Sequence, residues 1–158
     1  MSIMSLMVDQ QTTQSVLEKY SNSINWISER DGGQAAAVNK GLRRAKGTYI
    51  AWINSDDILY AGALEIVSKV FEEHPEVDIV YGKARHIDIN GSTIEHYPTQ
   101  EWDAKLLDKV CYLCQPAVFI RRKVLARAGY LNEELRYCMD YEYWLRLRDL
   151  GKIGRAHV

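Results

Sequence analysis

Apolar positions along this chain fall into two rhythms, short unbroken runs and helical spacings, and the alternation between them orders the sequence. Thr48-Tyr49-Ile50-Ala51-Trp52-Ile53 is a continuous apolar, β-prone run that switches at once to Asn54-Ser55-Asp56-Asp57. A run of this kind without alternation predicts a strand buried on both faces, the habit of parallel sheets in α/β proteins. Around it the pattern predicts strands at 5–8, 24–27, 77–81 and 115–120. Helices are predicted at 13–20, 34–45, 61–71, 102–110, 121–128 and 140–150. Asp31-Gly32-Gly33 reads as a turn before the second helix, and Gly47 stops that helix after a basic last turn. Asn90-Gly91 between 85–89 and 93–97 is a hairpin signal, so an antiparallel insertion should make the sheet mixed. In the last helix Tyr143, Trp144, Leu147 and Leu150 recur at core spacing. No repeat or linker divides the chain, which is expected to form one domain.

Composition narrows what such a domain can do. With 47% hydrophobic residues and a formal net charge of -1 over 158 residues, the chain has a core to bury and no basic excess for nucleic acid. No apolar run approaches the roughly 18 residues of a membrane span. The opening Met1-Ser2-Ile3-Met4-Ser5-Leu6-Met7-Val8 lacks a basic leader region and soon meets Asp9, so a cytoplasmic chain is expected. Three cysteines suit a reducing compartment. Cys111 and Cys114 have the spacing of a zinc or redox pair, but further ligands at suitable spacing are scarce, and burial in the core is the plainer reading.

The acidic switch has two readings. Adjacent carboxylates at the carboxyl end of a buried strand repel each other unless a cation or hydroxyl-rich ligand satisfies them, and that edge is where open α/β sheets bind ligands. Alternatively, Ser55 or Asp57 caps the helix that follows. Asp140 is open in the same way, since an acid ahead of Tyr-Glu-Tyr-Trp is a good helix cap. Gln115 suits a strand-start amide, and Arg43 and Arg44 suit a solvated helix end.

Several segments together resemble a known family. Ser28-Glu29-Arg30-Asp31-Gly32-Gly33-Gln34, Val38-Asn39-Lys40-Gly41-Leu42, Ala45-Lys46-Gly47 and Asn54-Ser55-Asp56-Asp57 are similar, in order and spacing, to motifs of family 2 glycosyltransferases of the GT-A fold. Gln115-Pro116-Ala117-Val118-Phe119-Ile120-Arg121-Arg122 and Met139-Asp140-Tyr141-Glu142-Tyr143-Trp144-Leu145-Arg146-Leu147 resemble that family's acceptor-side blocks. The resemblance implies a Rossmann-like three-layer α/β/α domain with a mixed, mostly parallel sheet, its donor side at about 1–82 and its acceptor side at about 83–158. It implies an inverting transfer of sugar from a nucleotide-diphosphate sugar, UDP-linked, to a glycan or lipid-linked acceptor in cell-surface polysaccharide synthesis.

By the same resemblance Asp57 is the metal ligand and Asp56 touches metal or ribose, for Mn2+ or Mg2+. Asp31, with Asn39 and Lys40 or a neighbouring Arg43 or Arg44, lies in the donor-binding region, Gln115 is placed to touch the acceptor or donor sugar, and Asp140 is the general base. Asn54 stands where many relatives carry a third acid and would keep an oxygen ligand there. Members normally open with a strand and helix ahead of the segment aligned to 5–8, and continue through another strand after 154–158. The Gly-Ser-Thr-Asp-like turn after Asp9 is replaced by Gln10-Gln11-Thr12-Thr13-Gln14. An absent first strand would expose an edge and an apolar amino-terminal surface, so a homodimer with weak or no activity is expected. A non-catalytic module for sugar binding or oligomerisation is the alternative function, and peripheral association with the inner membrane face is a further expectation. A dinucleotide-binding dehydrogenase is excluded, because no G-x-G-x-x-G follows a strand.

Overall fold

The computed structural model describes residues 4–6, 11–150 and 152–155, and the side-chain surroundings of 15–150 and 152–154. Asp9 and the side chains of 4–8, on which the amino-terminal expectations rest, lie outside the described residues. The strands are β1 (Met4–Leu6), β2 (Asn25–Ile27), β3 (Tyr49–Ile50), β4 (Ile79–Tyr81), β5 (Arg85–Ile87), β6 (Thr93–His96), β7 (Val118–Arg121) and β8 (Ile153–Arg155). The helices are α1 (Gln11–Lys19), α2 (Gln34–Arg44), α3 (Ala63–Glu73), α4 (Ala104–Leu107), α5 (Leu125–Ala128) and α6 (Met139–Leu150).

The four-stranded sheet has the order β3-β7-β4-β8. β7 runs antiparallel to both β3 and β4, whereas β8 is parallel to β4, so three strands share one direction and β7 opposes them. β1 and β2 form a parallel pair, and β5 and β6 the expected hairpin with a register shift at His86/Ile87. Successive side chains of a strand point to opposite faces, and the core divides accordingly. Ile79, Tyr81, Val118 and Ile120 pack with Leu42, Tyr143, Trp144 and Leu147 on one face. Val80 and Phe119 pack with Val67 and Phe71 of α3 on the other. A sheet covered on both faces has no use for polar positions, which is why its strands read as unbroken apolar runs.

Several boundaries differ from the sequence expectation, each for a local reason. Only Tyr49 and Ile50 of the 48–53 run pair with a neighbour. Beyond them Trp52 turns inward to stack on Trp144, with ring centroids 5.1 Å apart. Gln115–Ala117 form a 3-10 turn rather than strand, with Pro116 at its start, and the strand follows from Val118. The 102–110 segment reduces to one turn, α4, capped by Asp103, whose Oδ1 accepts from the Lys105 and Leu106 N–H groups. Ile153–Arg155, where the pattern predicts no strand, pair with β4 as β8.

Asn39 is engaged inside the fold. It is 1% exposed, and its amide binds the far end of the fold: Nδ2 donates to the Leu131 carbonyl at 2.9 Å and to Glu133 Oε1 at 2.8 Å, while Oδ1 accepts from the Leu131 N–H at 2.9 Å. A side chain so committed ties α2 to the 131–133 loop and has no polar atom turned to a nucleotide. Asn39→Ala would strand both Leu131 groups, and it should lower stability by about 1–3 kcal/mol in denaturant unfolding while leaving nucleotide affinity unchanged.

Candidate functional site

Strand direction gathers the site. β3 and β4 run the same way, so their carboxyl ends share an edge, and the antiparallel β7 begins at that same edge. The Gly82 N–H donates to the Ala117 carbonyl at 3.0 Å, closing β4's exit against β7's entry. Cys114 and Gln115 therefore stand beside the acidic turn that leaves β3.

That turn is held by its own atoms and by amides. The Asp57 N–H donates to the Asn54 carbonyl at 3.2 Å, and the Asn54 N–H donates to Asp57 Oδ2 at 3.0 Å. Gln34 Nε2 donates to Asn54 Oδ1 at 3.2 Å. Asn54 Nδ2 donates to Gln115 Oε1 at 3.0 Å, and Gln115 Nε2 to the Trp52 carbonyl at 2.5 Å. The cap reading of Ser55 and Asp57 fails, because α3 starts at Ala63 behind Gly62, in the left-handed region at φ 77°, with no side-chain cap. Gln115 proves to be the structural amide rather than an open sugar contact, and Asn54's oxygen is already occupied.

The other acids reach the same edge. Asp140 lies within the first turn of α6, one residue past its start, so it does not cap the helix. Cys138, at φ 55°, is the one non-glycine residue with positive φ among the described residues, and it leads the chain into that turn. Burial, then the charges of Asp57, Cys111 and Asp140, push the Cys114 thiol up to about 11. The same thiol thus feels acids 83 positions apart in sequence. Burial first, then Cys111, Cys114 and Asp140, raise Tyr97 to about 12. Asp57 itself is raised above its ordinary 3.8, chiefly by burial and further by Asp56, against the opposing pull of the Asn54 N–H.

On the α2 side, Asp31 Oδ1 accepts from the Gly33 N–H at 3.1 Å, shaping the turn into the helix. Gly33 adopts φ 126°, which a side chain would resist. Lys40 is turned back on this loop, donating to the Arg30 carbonyl at 2.8 Å and pairing with Glu29 at 3.1 Å. In the ligand-free fold it braces the loop. Arg43 pairs with Glu133 at 3.3 Å and lies over the Tyr130 ring, away from the acids.

Other acids of the fold are tied to cations. Asp78, buried at the start of β4, pairs with Lys123 at 2.8 Å, and Glu142 with Arg146 at 2.7 Å. Among the described residues Asp31, Asp56, Asp57 and Asp140 form no ion pair. No cluster of three or more His, Cys, Asp or Glu side chains suited to a metal occurs among the described residues, so neither the Cys111/Cys114 pair nor the acids form a complete cage. Two adjacent acids do fit a divalent cation that takes its remaining oxygens from a phosphate ligand. A surface depression of about 430 Å³ on the outer face of α6, lined by Leu135, Tyr137, Tyr141 and Leu145 among others, touches none of these acids. No described helix is long and apolar enough to cross a membrane.

An acidic turn at the carboxyl edge of a mixed α/β/α sheet, with a helix-borne carboxylate beside it, is the layout of a GT-A glycosyltransferase domain. Residues 7–129 match the model for Glycosyl transferase family 2, and the chain belongs to that family. It is 28% identical over 123 residues to an uncharacterized glycosyltransferase of Methanocaldococcus jannaschii, covering 75% of this chain and 42% of that protein. Over 144 residues it is 29% identical to hyaluronan synthase of Pasteurella multocida, covering 89% of this chain and 15% of that one. The fold superposes on S. aureus TarS 1-349 in complex with UDP-GlcNAc with a TM-score of 0.69 at 20% identity, covering 95% of this chain and 46% of that one. It also superposes on the mannosyltransferase PcManGT of Pyrobaculum calidifontis, in complex with GDP-Man and Mn2+. There the TM-score is 0.64 at 14% identity, covering 95% of this chain and 44% of that one. The chain spans less than half the length of each of these four proteins.

Two outcomes test this electrostatic picture without any ligand. Because Asp57's folded pKa is raised, its ionisation opposes folding, and that opposition is absent below about 3.8 and grows as pH rises through the folded value. Asp57→Asn should therefore raise the melting temperature at pH 7 and leave it unchanged at pH 3. The same substitution removes a charge that suppresses the Cys114 thiolate, so Cys114 should alkylate faster with iodoacetamide at pH 8, as read by mass spectrometry of the labelled peptide.

Proposed function

We propose that this chain carries the donor and acceptor sites of an inverting, metal-dependent glycosyltransferase acting on a nucleotide-diphosphate sugar, UDP-linked, in surface polysaccharide assembly. The observation that carries the reading is the set of acids without cation partners at one sheet edge, two of them consecutive. Asp57, with Asp56, would hold Mn2+ or Mg2+, and Asp31 and the start of α2 would line the donor. When bound, the cation would offset the negative charge that develops on the leaving diphosphate. Asp140 is the base: it takes the proton of the acceptor hydroxyl as that oxygen bonds to the anomeric carbon and the nucleoside diphosphate departs. One displacement inverts the anomeric centre and needs no covalent nucleophile.

The relatives' names support the substrate classes, since nucleotide sugars occupy TarS and PcManGT, Mn2+ accompanies GDP-Man in the latter, and a hyaluronan synthase is among the relatives. The acceptor would be a glycan or lipid-linked sugar, met on the cytoplasmic side of the membrane. Calorimetry with UDP and Mn2+ tests the first half: Asp57→Ala should abolish metal-dependent binding in a protein that still folds. Asp140→Asn should retain that binding and reduce transfer to glycan acceptors by about 10²–10⁴-fold. Wild-type transfer in Asp140→Asn would remove Asp140 from the role of base.

A further inference from the structure

The amides that hold the acidic turn all take their directions from one backbone group. The Trp52 carbonyl can only accept, so Gln115 must present Nε2 to it, and its Oε1 is left facing Asn54. Asn54 must answer with Nδ2, which turns its Oδ1 away to accept from Gln34. The chain of donors and acceptors thus runs from the segment leaving β3 through the 3-10 turn ahead of β7, back to the acidic turn, and on to the first residue of α2. The same Asn54 supplies the backbone N–H that grips Asp57 Oδ2.

We propose that Gln115 and Asn54 are positioning residues for the Asp57 carboxylate, and that Asn54 does not itself ligate the cation. This inference rests on the reading of the site as a metal-assisted donor site, and it assigns the neighbours of Asp57 their part in it. A carboxylate at position 54 could still accept from Gln34, but its second oxygen would face Gln115 Oε1. Inverting the Gln115 amide to relieve that contact would set Oε1 against the Trp52 carbonyl instead. An acid at 54 and a glutamine at 115 are therefore incompatible, whereas Asn54 and Gln115 form a matched pair. The amide at 54 is a consequence of polarity at 115 and not a weakened metal ligand.

Calorimetry with UDP and Mn2+ on wild type, Asn54→Asp, Gln115→Met and the double variant separates the possibilities. Gln115→Met keeps the bulk and removes the amide, and it should weaken Mn2+-dependent UDP binding by about 10–100-fold, the range for groups that orient a metal ligand. Asn54→Asp should weaken binding although it adds an acid, and in the Gln115→Met background that penalty should vanish or reverse. In ligand-free protein, Gln115→Met should also speed hydrogen exchange at the Asn54 and Asp57 amides. Tighter binding by Asn54→Asp with Gln115 present, or unchanged affinity and exchange in Gln115→Met, overturns the inference. Failure of the wild type to bind UDP with Mn2+ overturns the donor-site reading itself, and this inference with it.

Discussion

The antiparallel course of β7 between β3 and β4 is the constraint on which the site depends. Were β7 parallel to its neighbours, Cys114 and Gln115 would enter the sheet at the opposite edge, and the acidic turn would lose its support. Burial enforces the placement: β7 presents Val118 and Ile120 to one helical layer and Phe119 to the other. A slip of one residue would exchange these faces and set mismatched side chains against both layers. The hydrogen bond from Gly82 to Ala117 then seals the edge where the polar groups emerge.

Beneath that edge an aromatic layer joins the two halves of the site. Trp52, two residues before the acidic turn, stacks on Trp144, which stands one helical turn after Asp140 on α6. Tyr143 meets the same Trp52 ring at 6.2 Å and anchors its hydroxyl on the Gly129 carbonyl. The spacing between the proposed metal ligand and the proposed base is thereby set by packed rings rather than by loops, and packed interiors yield little.

The electrostatics follow from the same geometry. Burial first, and then the neighbouring Asp56, raise the Asp57 carboxyl, and burial followed by the charges of Asp57, Cys111 and Asp140 raises the Cys114 thiol. Such an arrangement works against the ligand-free fold, and a cation with its phosphate ligand, as proposed, would relieve it. The buried Asp78 follows the opposite rule, paired with Lys123 at the start of β4.

Much of this was legible in the residues. Unbroken apolar runs announced strands covered on both faces, helical spacing located α2, α3 and α6, and the motif order pointed to the family before any contact was known. The reason is that burial pattern and short motifs are local properties of the chain. What tertiary structure alone decided was polar commitment. Asn39, Lys40, Asn54 and Gln115 carry the same chemistry whether they face a ligand or a carbonyl, and only the positions of Leu131, Arg30, Gln34 and Trp52 reveal that each is already engaged. Three of those four partners lie 20 to 92 residues away along the chain. Sequence spacing therefore could not say which polar side chains brace the site, nor that the charges of Asp57 and Asp140 would both act on one thiol.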